Sequence, residues 1–120
     1  MSLAPESFAK YFERHVIEDE QGRGWLDYRL GTGGTAELTN IEVYREYRRA
    51  GVGRTLLGRM IAELPPDVKI VYAFTSDKNV LAHAWYRSIG FTLTFAPHFY
   101  AGMNESAYLC VKVLKRRMPS

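Results

Sequence analysis

The stretch NIEVYREYRRAGVGRTLL, residues 40–57, decides the fold of this chain. It completes TAELTNIEV, a run that looks like a strand with Leu38, Ile41 and Val43 as its apolar members, and it begins a run in which apolar residues recur every three or four positions. The second run stops at Pro65-Pro66, because a helix interior does not tolerate proline. The stretch therefore predicts a strand followed by a helix, with the segment RRAGVGR, residues 48–54, at their junction.

This junction has the composition of an anion-binding site. The first turn of a helix presents unpaired N–H groups and the positive end of the helix dipole. Gly51 and Gly53 carry no Cβ atom that would hold a phosphate away from those groups. Positive charge at the same place comes from Arg48, Arg49 and Arg54. The third glycine of a dinucleotide fingerprint and the Gly-Lys-Ser/Thr of a P-loop are absent, and a plain tight turn is the alternative reading.

The other patterns complete a mixed sheet. Strands are predicted in HVIEDEQGRGWLDYRL as two arms around a turn, in TAELTNIEV after a GTGG hairpin turn, and in KIVYAFTS, FTLTFA and SAYLCVKVL. The segment PHFYAGMNE is predicted to join the last two strands, and the first dozen residues fit either a helix or a strand. The order β-β-β-α-β-α-β-β predicts an α/β or α+β fold in which helices pack on a mixed sheet.

The second helix is predicted to follow KIVYAFTS. Asn79 is a suitable N-cap, and Gly90 is suited to a left-handed stop at the other end. We expect Leu81, Trp85 and Ile89 to form the buried stripe of this helix.

Composition limits the class of protein. The 120 residues are enough for one compact domain, residues 1–120, and a net charge of +3 with acidic and basic residues interspersed fits a small anionic ligand better than nucleic acid. No run is long and apolar enough for a membrane span, and the start of the chain lacks the core of a secretory signal, so we expect a cytoplasmic location. Cys110 is expected to be a buried small hydrophobe, and Lys115-Arg116-Arg117 a solvated tail.

Two motifs carry a resemblance to a known family. NIEVYREYRRAGVGRTLL resembles the acyl-CoA-binding motif of the GNAT superfamily of N-acetyltransferases, with Arg48, Gly51 and Gly53 on its fixed positions. NVLAHAWYRSIGF, residues 79–91, is similar to the family's Asn-x-x-Ala-x-x-x-Tyr-x-x-x-Gly-Phe. Its positions are filled by Asn79, Ala82, Tyr86, Gly90 and Phe91. The resemblance covers roughly residues 24–114.

The resemblance implies a fold and a co-substrate. The fold is a mostly antiparallel sheet with flanking helices, reduced N-terminal elements and a parallel strand pair, 36–43 and 69–76, that splays apart. The co-substrate is acetyl-CoA, and no metal is implied. The residues that would contact the coenzyme are Ile41, Glu42 and Val43 along the pantetheine arm, Arg48, Arg49, Ala50, Gly51, Val52, Gly53 and Arg54 around the pyrophosphate, and Asn79, Ala82 and Tyr86 on the second helix.

The resemblance also implies direct attack of an amine on the thioester in a ternary complex. The oxyanion would be held by the backbone N–H of Val43. Tyr86 takes the position of the general acid, and Glu37, six residues before Val43, takes that of the base in histone-acetylating members. Glu42 and a bound water are the alternative bases, and a solvated carboxylate is an equal alternative for Glu37. His83, expected to face solvent, and His98, expected in a loop, are weaker candidates.

The acceptor is expected to be a primary amine, on a small molecule or at a peptide N-terminus. The chain resembles the ribosomal-protein alanine N-terminal acetyltransferase branch, which implies substrate contacts from Phe99 and Tyr100. It departs from that branch at Phe74, where the branch has a glutamate. About 35 residues precede the strand at 36–43, too few for the usual wall of the acceptor site, so we expect an open site that a protein substrate or a homodimer partner completes.

Two other functions compete with this one. A binding module could have kept the coenzyme site and lost the acceptor site, and would then act as an acyl-CoA sensor. A small basic nucleic-acid binder is less favoured, because no alternation of basic and aromatic residues marks a binding face. Turnover with a panel of amines distinguishes the first two.

Overall fold

The computed structural model describes residues 13–100 and 105–116, without the side chains of residues 98–100. The first dozen residues, for which the sequence left helix and strand open, lie outside this part. The described chain forms six strands and two α-helices. They are β1 (His15–Glu18), β2 (Gly24–Leu30), β3 (Thr35–Val43), α1 (Val52–Glu63), β4 (Ile70–Ser76), α2 (Val80–Ser88), β5 (Thr92–Tyr100) and β6 (Glu105–Val113).

The strands form a single mixed sheet in the order β1-β2-β3-β4-β6-β5. β3 and β4 run parallel, because the chain crosses from one to the other through α1, and the remaining described neighbours run antiparallel. The structure thus confirms the predicted sheet with its parallel central pair. Neither described helix is long and apolar enough to span a membrane.

Both described helices pack on the same side of the sheet, which we call the helix face. α1 lies over the first strands, and the Tyr28 hydroxyl donates a hydrogen bond to Glu63 at its end, 2.6 Å away. α2 lies over the later strands, where the His83 ring contacts Tyr108 with centroids 4.6 Å apart. As predicted, α1 buries an apolar stripe. Its buried members are Val52, Leu56, Leu57 and Met60, with Leu64 just beyond the helix.

The opposite side of the sheet, which we call the open face, has no helix among the described elements. Trp25 and Glu42 are direct partners across β2 and β3, and they alternate with the helix-face residues Leu26 and Ile41. Tyr72 lies on the same open face in β4 and is half-buried.

A β-bulge at Thr39 changes which side chains of β3 reach the helix face. Asp27 is opposite Asn40 and Tyr28 is opposite Leu38, so Thr39 is one residue too many for the partner strand. The buried Asp27 carboxylate accepts hydrogen bonds from Thr39 Oγ1 and from Asn40 Nδ2. Leu38 before the bulge and Ile41 after it therefore both face the helices, although they are three residues apart.

The hairpin turns agree with the sequence. In the GTGG turn, the Gly31 N–H donates to the Thr35 carbonyl at 2.9 Å. In the turn before β2, Asp19 accepts hydrogen bonds from the Arg23 guanidinium at 2.8 and 3.0 Å. Those side-chain hydrogen bonds lower the pKa of Asp19 to about 2.

Two predictions about the C-terminal third are wrong. Arg116 is not part of a solvated tail, because its guanidinium donates to backbone carbonyls at the end of α1, including Ile61 O and Pro65 O, both at 2.7 Å. The segment predicted as a loop from Pro97 onward continues β5 as far as Tyr100. Cys110 is fully buried, as predicted.

Candidate functional site

A cleft opens in the middle of the sheet between β3 and β4. The two strands are paired only from Thr35↔Ile70 to Glu37↔Tyr72 and separate beyond that point. The space between them has a volume of about 950 Å³. Beyond that point no described strand pairs with the facing edges, so a ligand that enters the cleft can bond to backbone groups there. The walls are residues 38–43 of β3, residues 74–76 of β4, the loop with residues 47–54, and the side of α2 that carries Asn79, Leu81, Ala82, Trp85, Tyr86, Ser88 and Ile89.

The glycine loop forms the mouth of the cleft. Gly51 precedes α1 at φ +77, and Arg49 also has a positive φ of 71, so the chain turns sharply before the helix. The Arg48 Nε donates to the Val43 carbonyl at 3.1 Å, which ties the loop to the end of β3. The first turn of α1 contains no acidic residue. Its N–H groups and the neighbouring arginines make the mouth an attractive place for an anion.

Gly53 also has a role in packing that the sequence did not indicate. A Cβ atom at Gly53 would lie 2.9 Å from the Trp85 ring, so this glycine lets α1 and α2 approach each other. At Gly51, by contrast, a Cβ would meet nothing within 4 Å, and the positive φ is what favours glycine. The two glycines of the motif therefore have separate roles, one in the turn and one in helix packing.

Helix α2 begins where the sequence predicted, but it exposes a side chain that was expected to be buried. The Asn79 side chain accepts from the Ala82 N–H at 3.1 Å, and Gly90 at φ +93 ends the helical segment. Leu81, predicted to be buried, is 81% exposed at the rim of the cleft. The buried residues of this helix are His83 and Tyr86, and the predicted Trp85 and Ile89 are partly buried against the core. The helix is only 9 residues long, so its neighbours and not its periodicity decide which side is covered.

Tyr86, the predicted acid, lies in the helix-face wall of the cleft and is buried. Its ring packs edge-on against Trp85 and Phe91, with centroids 5.0 and 4.9 Å away. Burial, with a smaller effect of the neighbouring Cys110, raises the pKa of Tyr86 well above its usual range. The phenol is therefore protonated at any physiological pH and can act as a hydrogen-bond or proton donor.

The two candidate histidines, His83 and His98, lie in surroundings different from those predicted. His83 does not face solvent, because its Nε2 lies 2.8 Å from the Ser76 carbonyl and its ring packs on Tyr108. This prediction is wrong because α2 turns the histidine inward over the end of β4. His98 lies within β5 and not in a loop, and its side chain is outside the described part.

The carboxylates of β3 lie on the open face. Glu37 is at the closed end of the cleft and accepts hydrogen bonds from Arg29 Nε and Nη2 at 3.2 and 3.1 Å. Glu42 is exposed and lines the cleft near its mouth. Ile41 and Val43, on the helix face of the same strand, are half-buried cleft residues.

The predicted substrate residues Phe99 and Tyr100 are the last residues of β5. Tyr100 is paired with Glu105 of β6, so both predicted residues lie at the end of the last hairpin. Their side chains are outside the described part of the chain.

Sequence reasoning missed several residues of the cleft. Tyr47 and Trp85 line it, and Thr75 contributes a buried side chain from β4. The alternating pattern of KIVYAFTS could have assigned Thr75 to the same side as Val71 and Ala73. Nothing in the sequence places Tyr47 in the wall, because the short 3₁₀ turn Arg45–Tyr47 has no clear local signal.

Comparisons with known proteins agree with this geometry. A family model described as "Acetyltransferase (GNAT) family" matches residues 6–91. A sequence search of curated proteins finds no significant match.

Solved structures show the same fold at low sequence identity. Nourseothricin acetyltransferase superimposes with a TM-score of 0.71 at 24% identity, covering 83% of this chain and 64% of that chain. A GNAT family acetyltransferase from Elizabethkingia anophelis with acetyl-CoA bound has a TM-score of 0.71 at 18% identity, covering 92% and 84%. The ribosomal-protein alanine N-acetyltransferase from Escherichia coli has a TM-score of 0.67 at 23% identity, covering 100% and 81%.

This chain spans 64% of the length of nourseothricin acetyltransferase, and at these identities the structural likeness shows the fold alone. The family follows from the sequence model, which covers most of the chain and includes the glycine loop and α2. The chain therefore belongs to the GNAT family of acetyltransferases.

Proposed function

We propose that this protein transfers an acetyl group from acetyl-CoA to a primary amine, by direct attack in a ternary complex. The observation that carries the proposal is the cleft between β3 and β4, which stays open beyond the Glu37↔Tyr72 pair and ends at the glycine loop. An extended arm with amide groups can pair with these strand edges as an added strand does. The acetyl-CoA found in the Elizabethkingia anophelis structure supports this choice of ligand.

The coenzyme would bind by its two ends. The pyrophosphate would lie on the first-turn N–H groups of α1 at Val52, Gly53 and Arg54, where the helix dipole and nearby arginines favour negative charge. The pantetheine arm would then follow β3 along Ile41, Glu42 and Val43, which line the cleft. The Val43 N–H remains the predicted donor to the oxyanion.

The two sides of the cleft differ in a way that suits acyl transfer. Glu37 and Glu42 project to the open face, whereas Tyr86 reaches the cleft from the helix face. An amine that approaches from the open face meets carboxylates that can take its proton. The sulfur of the leaving group then lies on the side of Tyr86.

The raised pKa of Tyr86 is consistent with a donor role. A buried phenol keeps its proton until a negative charge develops beside it. The same dry surroundings would raise the pKa of a thiol held in the cleft, so the two shifts partly cancel. As the C–S bond breaks, its electron pair moves to sulfur and Tyr86 donates its proton there.

Glu37 and Glu42 are separate proposals for the base. Glu42 already lines the cleft, whereas Glu37 would act from its closed end and is held by Arg29. Glu37→Gln and Glu42→Gln separate the two, because only loss of the base removes the acidic limb of the pH–rate profile.

The acceptor is proposed to be a small amine or a peptide N-terminus that approaches the open face, where no described helix restricts its size. The likeness to the ribosomal-protein alanine N-acetyltransferase supports the peptide, with Phe99 and Tyr100 as contacts from the last hairpin. A homodimer that completes this side, and a cytoplasmic location, are further proposals of ours.

The test measures acetyl-CoA binding and CoA release over a panel of amines and N-terminal peptides. We expect Tyr86→Phe to bind acetyl-CoA about as well as the wild type and to release CoA at least about 100-fold more slowly. Tyr44→Phe is the matched control, because Tyr44 is 43% exposed and is not among the residues lining the cleft.

The outcomes separate the competing functions. Acetyl-CoA binding with no turnover over the whole panel would favour the acyl-CoA sensor. No binding of acetyl-CoA by the folded wild type would refute the coenzyme site and the transferase together.

A further inference from the structure

Thr75 is a buried polar residue that the proposed mechanism does not use. It lies in β4, beyond the last pair that β4 makes with β3, and it lines the cleft. It is opposite Tyr108 of β6, so its side chain is on the helix face. Only 7% of Thr75 is exposed.

The hydroxyl of Thr75 has no partner within the described part of the chain. No donor or acceptor there meets Thr75 Oγ1 in hydrogen-bonding geometry. The Thr75 hydroxyl approaches the Cys110 thiol, and a weak hydrogen bond between them opposes the larger rise that burial causes in the pKa of Cys110. Their contact falls outside strict hydrogen-bonding geometry and a thiol is a weak partner, so the hydroxyl has no strong partner there.

An unpaired hydroxyl in this position is unfavourable for the empty protein. A buried hydroxyl without a strong partner is destabilising, because it has given up its hydrogen bonds to water. Valine has nearly the same shape and suits a buried strand better, so packing alone gives no reason for threonine here. A ligand in the cleft that forms a hydrogen bond with the hydroxyl would explain why threonine is present.

The surroundings indicate which part of a ligand would reach it. The Cys110 thiol lies near the side chains of both Thr75 and Tyr86. It contributes to the raised pKa of Tyr86, and Thr75 in turn affects the pKa of Cys110. Thr75 and Tyr86 also line the cleft from the helix face. In the proposed reaction that is the side on which the leaving sulfur lies.

We propose that the Thr75 hydroxyl donates a hydrogen bond to the sulfur of coenzyme A as the thiolate forms, beside Tyr86. The inference rests on the proposed function. The C–S bond breaks with its electron pair on sulfur, Tyr86 supplies the proton, and Thr75 keeps its own. A thiolate accepts a stronger hydrogen bond than the sulfur of a neutral thioester, so Thr75 favours the product side of the step.

The test compares Thr75→Val, which removes the hydroxyl, with Thr75→Ser, which keeps it. Thr94→Val is the control, because Thr94 is an exposed strand residue on the open face. Each variant is measured for urea stability without ligand, and for its Kd for CoA and for acetyl-CoA at pH 8.5, near the pKa of a free thiol. Turnover is measured with whichever acceptor the wild type uses.

For Thr75→Val we expect unchanged or higher stability without ligand, because an unpaired hydroxyl has been removed. We also expect about tenfold weaker CoA binding, about tenfold lower kcat, and acetyl-CoA binding within about twofold of wild type. Thr75→Ser should restore CoA binding. A purely structural role would not separate CoA from acetyl-CoA in this way.

Three results would overturn the inference. Lower stability of Thr75→Val without ligand would mean that the hydroxyl is already bonded inside the protein. Wild-type affinity for CoA and wild-type kcat in Thr75→Val would refute the contact with sulfur and leave the transferase proposal intact. A wild type that binds neither CoA nor acetyl-CoA would refute both.

Discussion

Replacing Arg116 by alanine should destabilise the protein from the far end of α1. The guanidinium donates to four backbone carbonyls at the end of α1 and in the segment that follows it. These are Ile61 O and Pro65 O at 2.7 Å, Val68 O at 3.0 Å and Leu64 O at 3.3 Å. Its positive charge also lies at the negative end of the helix dipole.

The magnitude follows from these contacts. A hydrogen bond to a charged group contributes about 1.5–3 kcal/mol, but the four bonds share one side chain and are not additive. Arg116 is half-buried, so water can reach some of the carbonyls once the side chain is gone. We expect a loss of about 2–3 kcal/mol, or a fall in Tm of about 8–12 °C for a chain of this size.

Urea and thermal unfolding measure this loss directly. Arg116→Lys should recover less than half of it, because an ammonium group lacks the planar fork that reaches carbonyls on both sides. Lys115→Ala is the control, since Lys115 is exposed next to Arg116. If the free energy of unfolding of Arg116→Ala is within about 0.5 kcal/mol of the wild-type value, the four hydrogen bonds contribute nothing and the reasoning is wrong.

Two further predictions concern packing and pH. Gly53→Ala should destabilise the fold by about 1–2 kcal/mol in urea, because its Cβ would lie 2.9 Å from the Trp85 ring. Gly58→Ala in the same helix is the control, because a Cβ there has open space and should stabilise the helix. Equal effects of the two substitutions would argue against the close contact. The pKa of Asp19 is lowered to about 2 by the Arg23 hydrogen bonds, so its contribution to stability is present above the unfolded pKa of about 3.9 and is lost as the pH falls through 2. Asp19→Asn should flatten the stability–pH curve between pH 4 and pH 2, and an unchanged slope would contradict the assignment.

The sequence predicted the elements that depend on local chemistry. The strand ending at Val43, the helix after Gly51 and the caps at Asn79 and Gly90 are where the pattern indicated, because turn glycines and N-caps act within a few residues. The parallel pair at the centre of the sheet came from the family resemblance and is also present.

The failures share a different physical origin. Leu81 and His83 exchanged their expected exposures because the environment of a short helix is set by strands distant in sequence. The partners of Arg116 could not be predicted from local sequence, because they lie more than 45 residues earlier in the chain. The close approach of Gly53 to Trp85 was not predicted, because Trp85 belongs to the second motif. Local patterns do not encode such contacts.

The short ladder between β3 and β4 has a mechanical consequence. Within the described strands, the ladder that joins the half-sheet β1-β2-β3 to the half-sheet β4-β6-β5 runs only from Thr35↔Ile70 to Glu37↔Tyr72. A molecule that hydrogen-bonds to both β3 and β4 beyond this ladder would link the two half-sheets. If the proposed coenzyme binds there, we expect slower amide exchange along both strands, because its binding would stiffen the sheet where the two halves meet.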